Sequence, residues 1–195
     1  MTAPLRMLIC CVAIMFAAHL PQSAAAQAIG FKEGRFHAAI QGGIMTLDGI
    51  WSFYNFEYVD AQFVGLIGGV DYPLRDQRWR LGAEVQINRH FGDNDHFELA
   101  IPATLRYSPE NPWWRFDSFS GGFGLSVTSS RPQTEIERRD ESQTTLFYYY
   151  LEAAFNVNQR GDDLFFRLHH RSDGYGVFEA DTSSNAWALG LRRTF

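Results

Sequence analysis

From Arg35 onward, apolar and polar residues alternate over stretches of about ten, separated by polar runs bearing Gly, Pro, Asn and Asp. Period-two alternation places one set of side chains on each face of a β-strand. Eight such stretches are present. The first, about 35–46, sets Phe36, Ala38, Ile40 and Ile44 against His37, Gln41 and Gly43. The second, about 61–72, sets Val64, Leu66, Val70 and Tyr72 against Gly65, Gly69 and Asp71. The third, 79–91, alternates most cleanly, with Trp79, Leu81, Ala83, Val85 and Ile87 opposite Arg80, Gly82, Glu84, Gln86, Asn88 and His90. The fourth runs 96–107 and carries Pro102, which cannot donate a ladder hydrogen bond. The fifth (118–128) and sixth (145–157) continue the rhythm, as do the seventh (163–172) and eighth (about 184–195).

No segment after the N-terminal region approaches the ~20 apolar residues a membrane helix needs. The ten-residue alternating segments are instead the signature of a transmembrane β-barrel. The expected fold is therefore all-β: an eight-stranded antiparallel outer-membrane barrel. Eight strands leave an interior just wide enough for side chains. Inward Arg80, Arg106, Arg167, Glu84, Glu98 and Glu152 can pair there, which predicts a filled lumen rather than a pore. The connections after odd strands include the long "DGIWSFYNFEYVD" and "SSRPQTEIERRDESQ" and are expected to face outward. Those after even strands, "PLRDQR", "SPENPWW" and "NQRGD", are shorter and suit the periplasmic side. The chain ends on Phe195, after Trp187, Leu189 and Leu191, a pattern typical of outer-membrane barrels.

The N-terminal region reads as a cleaved signal peptide, residues 1–26, followed by one domain, 27–195. Arg6 precedes the apolar stretch Met7 to Ala18, and Ala24-Ala25-Ala26 offers small residues for cleavage. Removing this segment removes Cys10 and Cys11, so no disulfide framework or thiol chemistry remains. It also removes one of 17 basic residues, leaving 16 against 22 acidic ones, a net charge of −6. That balance excludes a polybasic nucleic-acid binder.

The seventh stretch carries the candidate chemistry. Leu164, Phe166, Leu168, His170 and Ser172 share one parity; Phe165, Arg167, His169 and Arg171 share the other. The arginine-bearing set belongs in the lumen, so His170 and Ser172 continue the lipid-facing row near the outer rim. An imidazole and a hydroxyl two residues apart on one face can approach, and a serine activated by histidine can attack an ester. Asn185, on the matching row of strand eight, is placed to orient the imidazole; Glu179 and Asp181 in the intervening loop are carboxylate alternatives. Asp173 and Gly174 follow the serine and could support the loop or the oxyanion site. A polar pair that only marks the headgroup boundary explains the same residues. His169 is expected in the lumen. His90, His96 and Glu98 flank a short outer loop on the lumen face, where a polar plug outranks a metal site because no ligand spacing is diagnostic.

The stretch "HRSDG" resembles the His-x-Ser-Asn signature of the PagL family of outer-membrane lipid A 3-O-deacylases. That resemblance implies an eight-stranded barrel with a catalytic His and Ser on the membrane-facing side of the penultimate strand, and a Glu ordering the His. His170 and Ser172 match it; Asp173 stands where the family has Asn. Counting back from the chain end, the family's Glu falls near Ser184 or Asn185. The stretches "AEVQINRHFGDNDHFEL" and "RLHHRS…SSNAWALGLRRTF" are also similar to PagL-like bacterial barrels. The PagP palmitoyltransferase family fits less well, since Ile29 to Gly34 leaves no room for its amphipathic helix.

Two readings follow. In one, the chain is a lipid A esterase acting on lipopolysaccharide in the outer leaflet, with Ser172 as nucleophile and His170 as base. It would need no metal or organic cofactor and would be inserted by the barrel-assembly machinery. In the other, it is a non-catalytic barrel that is structural or binds surface partners.

Overall fold

The computed structural model describes residues 34–46, 58–158 and 160–195; the signal-peptide reading of residues 1–26 lies outside them. Eight antiparallel strands form one closed barrel in the order β1 to β8. They are β1 (Arg35–Thr46), β2 (Tyr58–Pro73), β3 (Trp79–Gly92), β4 (Phe97–Tyr107), β5 (Phe116–Thr128), β6 (Thr145–Asn156), β7 (Asp162–Ser172) and β8 (Ser183–Thr194). The barrel closes where β1 pairs with β8, from His37 opposite Thr194 to Thr46 opposite Asn185. One end carries the β2–β3, β4–β5 and β6–β7 connections and is called the turn end. The other carries the connections after the odd-numbered strands and is called the loop end.

The expected faces are the observed ones. Leu66, Ile87, Ile101, Phe123, Phe166 and Leu189 all point outward and are exposed. A continuous apolar belt of this kind has no stable interface with water and marks a membrane-spanning barrel. Glycines in β1 and β5 make room for large inward rings: a Cβ on Gly43 would lie 2.3 Å from Phe63, and one on Gly122 would lie 2.3 Å from Tyr150.

The lumen is filled by four stacked polar layers. Nearest the turn end, Glu152 accepts from Arg106 Nη1 (3.1 Å), Arg192 Nη1 (2.6 Å) and Arg167 Nη2 (2.6 Å). Above it, Glu84 takes Tyr150 Oη at 3.1 Å and Arg167 Nη1 at 3.1 Å. Gln86 then links Glu84 to the Tyr148 hydroxyl. In the third layer Glu98 accepts from Asn88 Nδ2 (3.0 Å) and Ser126 Oγ (2.6 Å) and meets His90 Nε2 at 3.1 Å. His169 faces Glu98 from β7 at 3.4 Å, in the lumen as its parity requires.

The fourth layer was not expected. The polar segment after β5 contains a short helix, α1 (Gln133–Arg139), rather than only irregular loop. Its Glu135 is fully buried and closes the loop end of the lumen. Glu135 accepts from Arg171 Nη1 (2.7 Å), Ser184 Oγ (2.8 Å) and Ser142 Oγ (2.8 Å). Asn94 ties the same helix to the β3–β4 loop through Thr134 at 2.9 Å.

Strand ends differ by a few residues from the alternation. β2 begins at Tyr58, β5 at Phe116, and His96 lies just before β4. Pro102 sits within β4 and faces inward. It pairs with Gly124 of β5, while the β3–β4 pairing runs Ala83 to Ala103 and resumes at Gln86 to Ala100. The interrupted ladder lies on the β3 side of the imino acid, which has no N–H to give.

Candidate functional site on the outer wall of strands 7 and 8

Cross-strand register builds this site. His170 of β7 stands opposite Tyr149 of β6 on one side and Asn185 of β8 on the other. Ser172, two residues further toward the loop end, stands between Phe147 and Ser183. All of these side chains share the outward face.

His170 is only 5% exposed and Asn185 only 2%, despite facing the belt side of the wall. The Tyr149 ring covers the imidazole, with centroids 4.1 Å apart and planes tilted by 40°. The imidazole Nδ1 is hydrogen-bonded to Asn185 Oδ1. An amide oxygen only accepts, so this contact places the ring proton on Nδ1 and leaves the Nε2 lone pair to act as a base. Ser172 is half-buried at the rim. Among the described residues no hydrogen bond joins its hydroxyl to the His170 ring; the two meet through their shared face alone.

The loop after Ser172 is tightly wound. Gly174, Tyr175 and Gly176 take positive φ in succession (71°, 61° and 83°). Asp173 holds this turn: its carboxylate accepts from the Gly176 amide at 2.5 Å, and its own amide donates to Thr182 O at 3.1 Å. Gly174 packs under Phe147, where an added Cβ would lie 2.2 Å from the ring. Phe178 closes over Phe147 edge-on at 5.0 Å.

Of the residues proposed to orient the imidazole, Asn185 is the one in contact. Glu179 and Asp181 are exposed. The Asp181 amide instead donates to Glu141 Oε2 at 3.0 Å, which stitches its loop to the one after α1. Arg138 of α1 reaches the same rim, donating to Ser183 O at 3.2 Å. Tyr149 and Arg138 were not among the candidates. Tyr149 could have been found from strand order plus register; Arg138 depends on how a polar loop folds back. His90, His96 and Glu98 form a plug, with the His90 and His96 rings stacked at 4.3 Å. Among the described residues no group of three or more His, Cys, Asp or Glu is arranged to hold a metal ion.

No protein-family model and no curated protein matches the chain. Solved structures with a similar barrel include the outer-membrane enzyme PagL, at 10% identity and a TM-score of 0.49, covering 80% of this chain and 98% of that one. Neisserial surface protein A is similar at 12% identity and 0.49, covering 83% and 97%. The Yersinia pestis outer-membrane protein Ail is similar at 15% identity and 0.48, covering 84% and 100%. PagL is not singled out among them.

Proposed function

We propose that this chain is an outer-membrane esterase that removes an ester-linked acyl chain from lipid A of lipopolysaccharide. The observation that carries the reading is an imidazole and a hydroxyl on one outward face at the loop-end rim, with the imidazole Nδ1 hydrogen-bonded to Asn185. The resemblance of "HRSDG" to the deacylase signature points the same way.

In this reading Ser172 Oγ attacks the ester carbonyl carbon while His170 Nε2 takes the hydroxyl proton. The carbonyl oxygen becomes an oxyanion. Because the Asp173 amide already donates to Thr182 O, the Gly174 amide is the backbone donor assigned to it. Collapse expels the sugar alkoxide, which receives the proton from His170. Water then attacks the acyl-serine, His170 again taking and returning the proton, and free fatty acid leaves with Ser172 restored. Substrate arrives laterally in the leaflet, so no deep pocket is required.

One observation favours a non-catalytic barrel instead: the unlinked Ser172 hydroxyl beside a nearly buried His170. Mass spectrometry of lipopolysaccharide incubated with the refolded barrel decides between them. Loss of one acyl chain with the native protein, absent with His170→Ala and Ser172→Ala of equal foldedness, supports the esterase. Asn185→Leu should cut turnover by at least tenfold while the barrel still forms. Unchanged lipid across several lipopolysaccharides assigns the polar rim a structural role.

A further inference from the structure

The turn end of the lumen opens into a cavity of about 370 Å³ that the proposed chemistry does not use. Four guanidinium residues from four strands line it: Arg35 (β1), Arg80 (β3), Arg106 (β4) and Arg192 (β8). The lining is completed on the acidic side by Asp117 of β5 and by Asp163 of β7, the cross-strand partner of Arg192, with Asn156 of β6 between. The cavity therefore has a cationic wall and an acidic wall.

The cationic wall is under-compensated. Arg80 and Arg106 are direct cross-strand partners on the inward face, a like-charge pairing that weakens a sheet. Arg106 is neutralised from deeper in the lumen by Asp71 (2.9 Å) and Glu152 (3.1 Å). Arg80 makes only a 3.3 Å contact with the neutral Ser108 Oγ. Among the described residues neither Arg80 nor Arg35 has a carboxylate within ion-pair distance. Arg106 and Arg192 are 3% and 4% exposed, and each keeps a buried Nη2 with no hydrogen-bond partner among the described residues. On the opposite wall, Asp117 meets only the Asn156 amide, at 3.3 Å. Asp163 faces Arg192 Nε at 3.6 Å, beyond hydrogen-bond reach.

We infer that this cavity binds a small zwitterion carrying a phosphate and an ammonium group, of the phosphoethanolamine class. Guanidinium forks match phosphate oxygens in geometry and charge. A phosphate set against Arg35 and Arg80 screens Arg80 from Arg106. An ammonium directed at Asp117 supplies the cation that this carboxylate lacks, with Asp163, already facing Arg192, beside it. A simple anion would satisfy one wall and be repelled by the other.

Calorimetric titration of the folded barrel in maltoside micelles tests this, with phosphoethanolamine, inorganic phosphate and ethanolamine as probes. Phosphoethanolamine should bind saturably and at least tenfold more tightly than phosphate. Arg80→Gln should weaken both at least tenfold. Asp117→Asn should bring phosphoethanolamine down to the phosphate level. Arg35→Gln serves where Arg80→Gln does not fold, judged by the mobility shift of heated against unheated barrel. Competition by dihexanoyl phosphatidylethanolamine assigns the group to a lipid headgroup; failure to compete assigns it to the free zwitterion. No saturable binding, equal affinity for phosphate and phosphoethanolamine, or folded arginine variants that bind as the native barrel does would overturn the inference.

Discussion

Replacing Glu152 by Gln should be among the most damaging single changes to the barrel. The carboxylate is fully buried and receives five contacts from four residues. Oε1 takes Arg192 Nη1 at 2.6 Å, Arg106 Nη1 at 3.1 Å and Ser120 Oγ at 3.1 Å. Oε2 takes Arg167 Nε at 3.0 Å and Nη2 at 2.6 Å. Gln keeps the shape but removes the charge and turns a donor toward a guanidinium. Breaking a buried ion pair by neutralising one partner costs about 3–5 kcal/mol. Three arginines share this partner, which argues for the upper part of that range. The loss is limited because each retains a second carboxylate: Asp71 for Arg106, Glu84 for Arg167 and Asp163 for Arg192. Ser120→Ala, which deletes one hydrogen bond to the same charged carboxylate, should cost less, about 1.5–3 kcal/mol. Reversible urea unfolding in lipid vesicles, followed by tryptophan fluorescence, measures both. Glu152→Gln combined with Arg192→Gln should cost less than the sum of the singles, because the two share one interaction. A Glu152→Gln barrel within about 1 kcal/mol of native would refute the claim that this network holds the lumen together.

Three further outcomes are expected. Gly174→Ala should destabilise the rim more than Gly176→Ala: both sit at positive φ, but only Gly174 has Phe147 against the new methyl, while nothing lies within 4 Å of Gly176. The backbone strain alone is about 1–2 kcal/mol and is common to both, so the difference in urea midpoint isolates the ring contact. Glu135→Gln should speed amide hydrogen exchange at Arg171 and Ser184 and leave Asp163 and Arg192 unchanged; uniform exchange along both strands would show that α1 is not a local clamp. Burial, with His90 and Arg171 nearby, pushes His96 in the β3–β4 loop down to about 3. Its unfolded value is near 6.5, so the proton favours the unfolded chain. Stability should fall as pH drops from about 6.5 toward 3, and His96→Asn should flatten that slope.

The barrel was legible because a membrane wall imposes period two on its strands, and Trp79 to Asn88 shows it most cleanly. The inward charges were legible for the same reason: Arg167 and Glu152 fall on the lumen parity and meet there. What alternation cannot show is how a polar segment folds back. "QTEIERR" has no apolar stripe, yet it forms α1 and buries Glu135, because Arg171 and Ser184 supply partners distant in sequence. The orienting residue for His170 was open among Asn185, Glu179 and Asp181 because register depends on the shape of the β7–β8 loop. The three consecutive left-handed residues after Asp173 fix that shape and set Asn185 opposite His170.

These two surprises meet at one level of the barrel. His170 pairs across strands with Asn185, and the adjacent pair, Arg171 with Ser184, points the other way into the lumen. Glu135 binds both members of that inner pair. It therefore clamps β7 to β8 from inside, one residue away from the outward imidazole and amide. Hydrocarbon on the outer side offers His170 and Asn185 no hydrogen bonds and no fixed shape to pack against. Any preorganisation of the pair must come through the backbone from the lumen side or from Tyr149 beside it. On this argument the filled lumen is the support for the outer wall. The segment that closes the loop end also sets the spacing on which chemistry at His170 and Ser172 would depend.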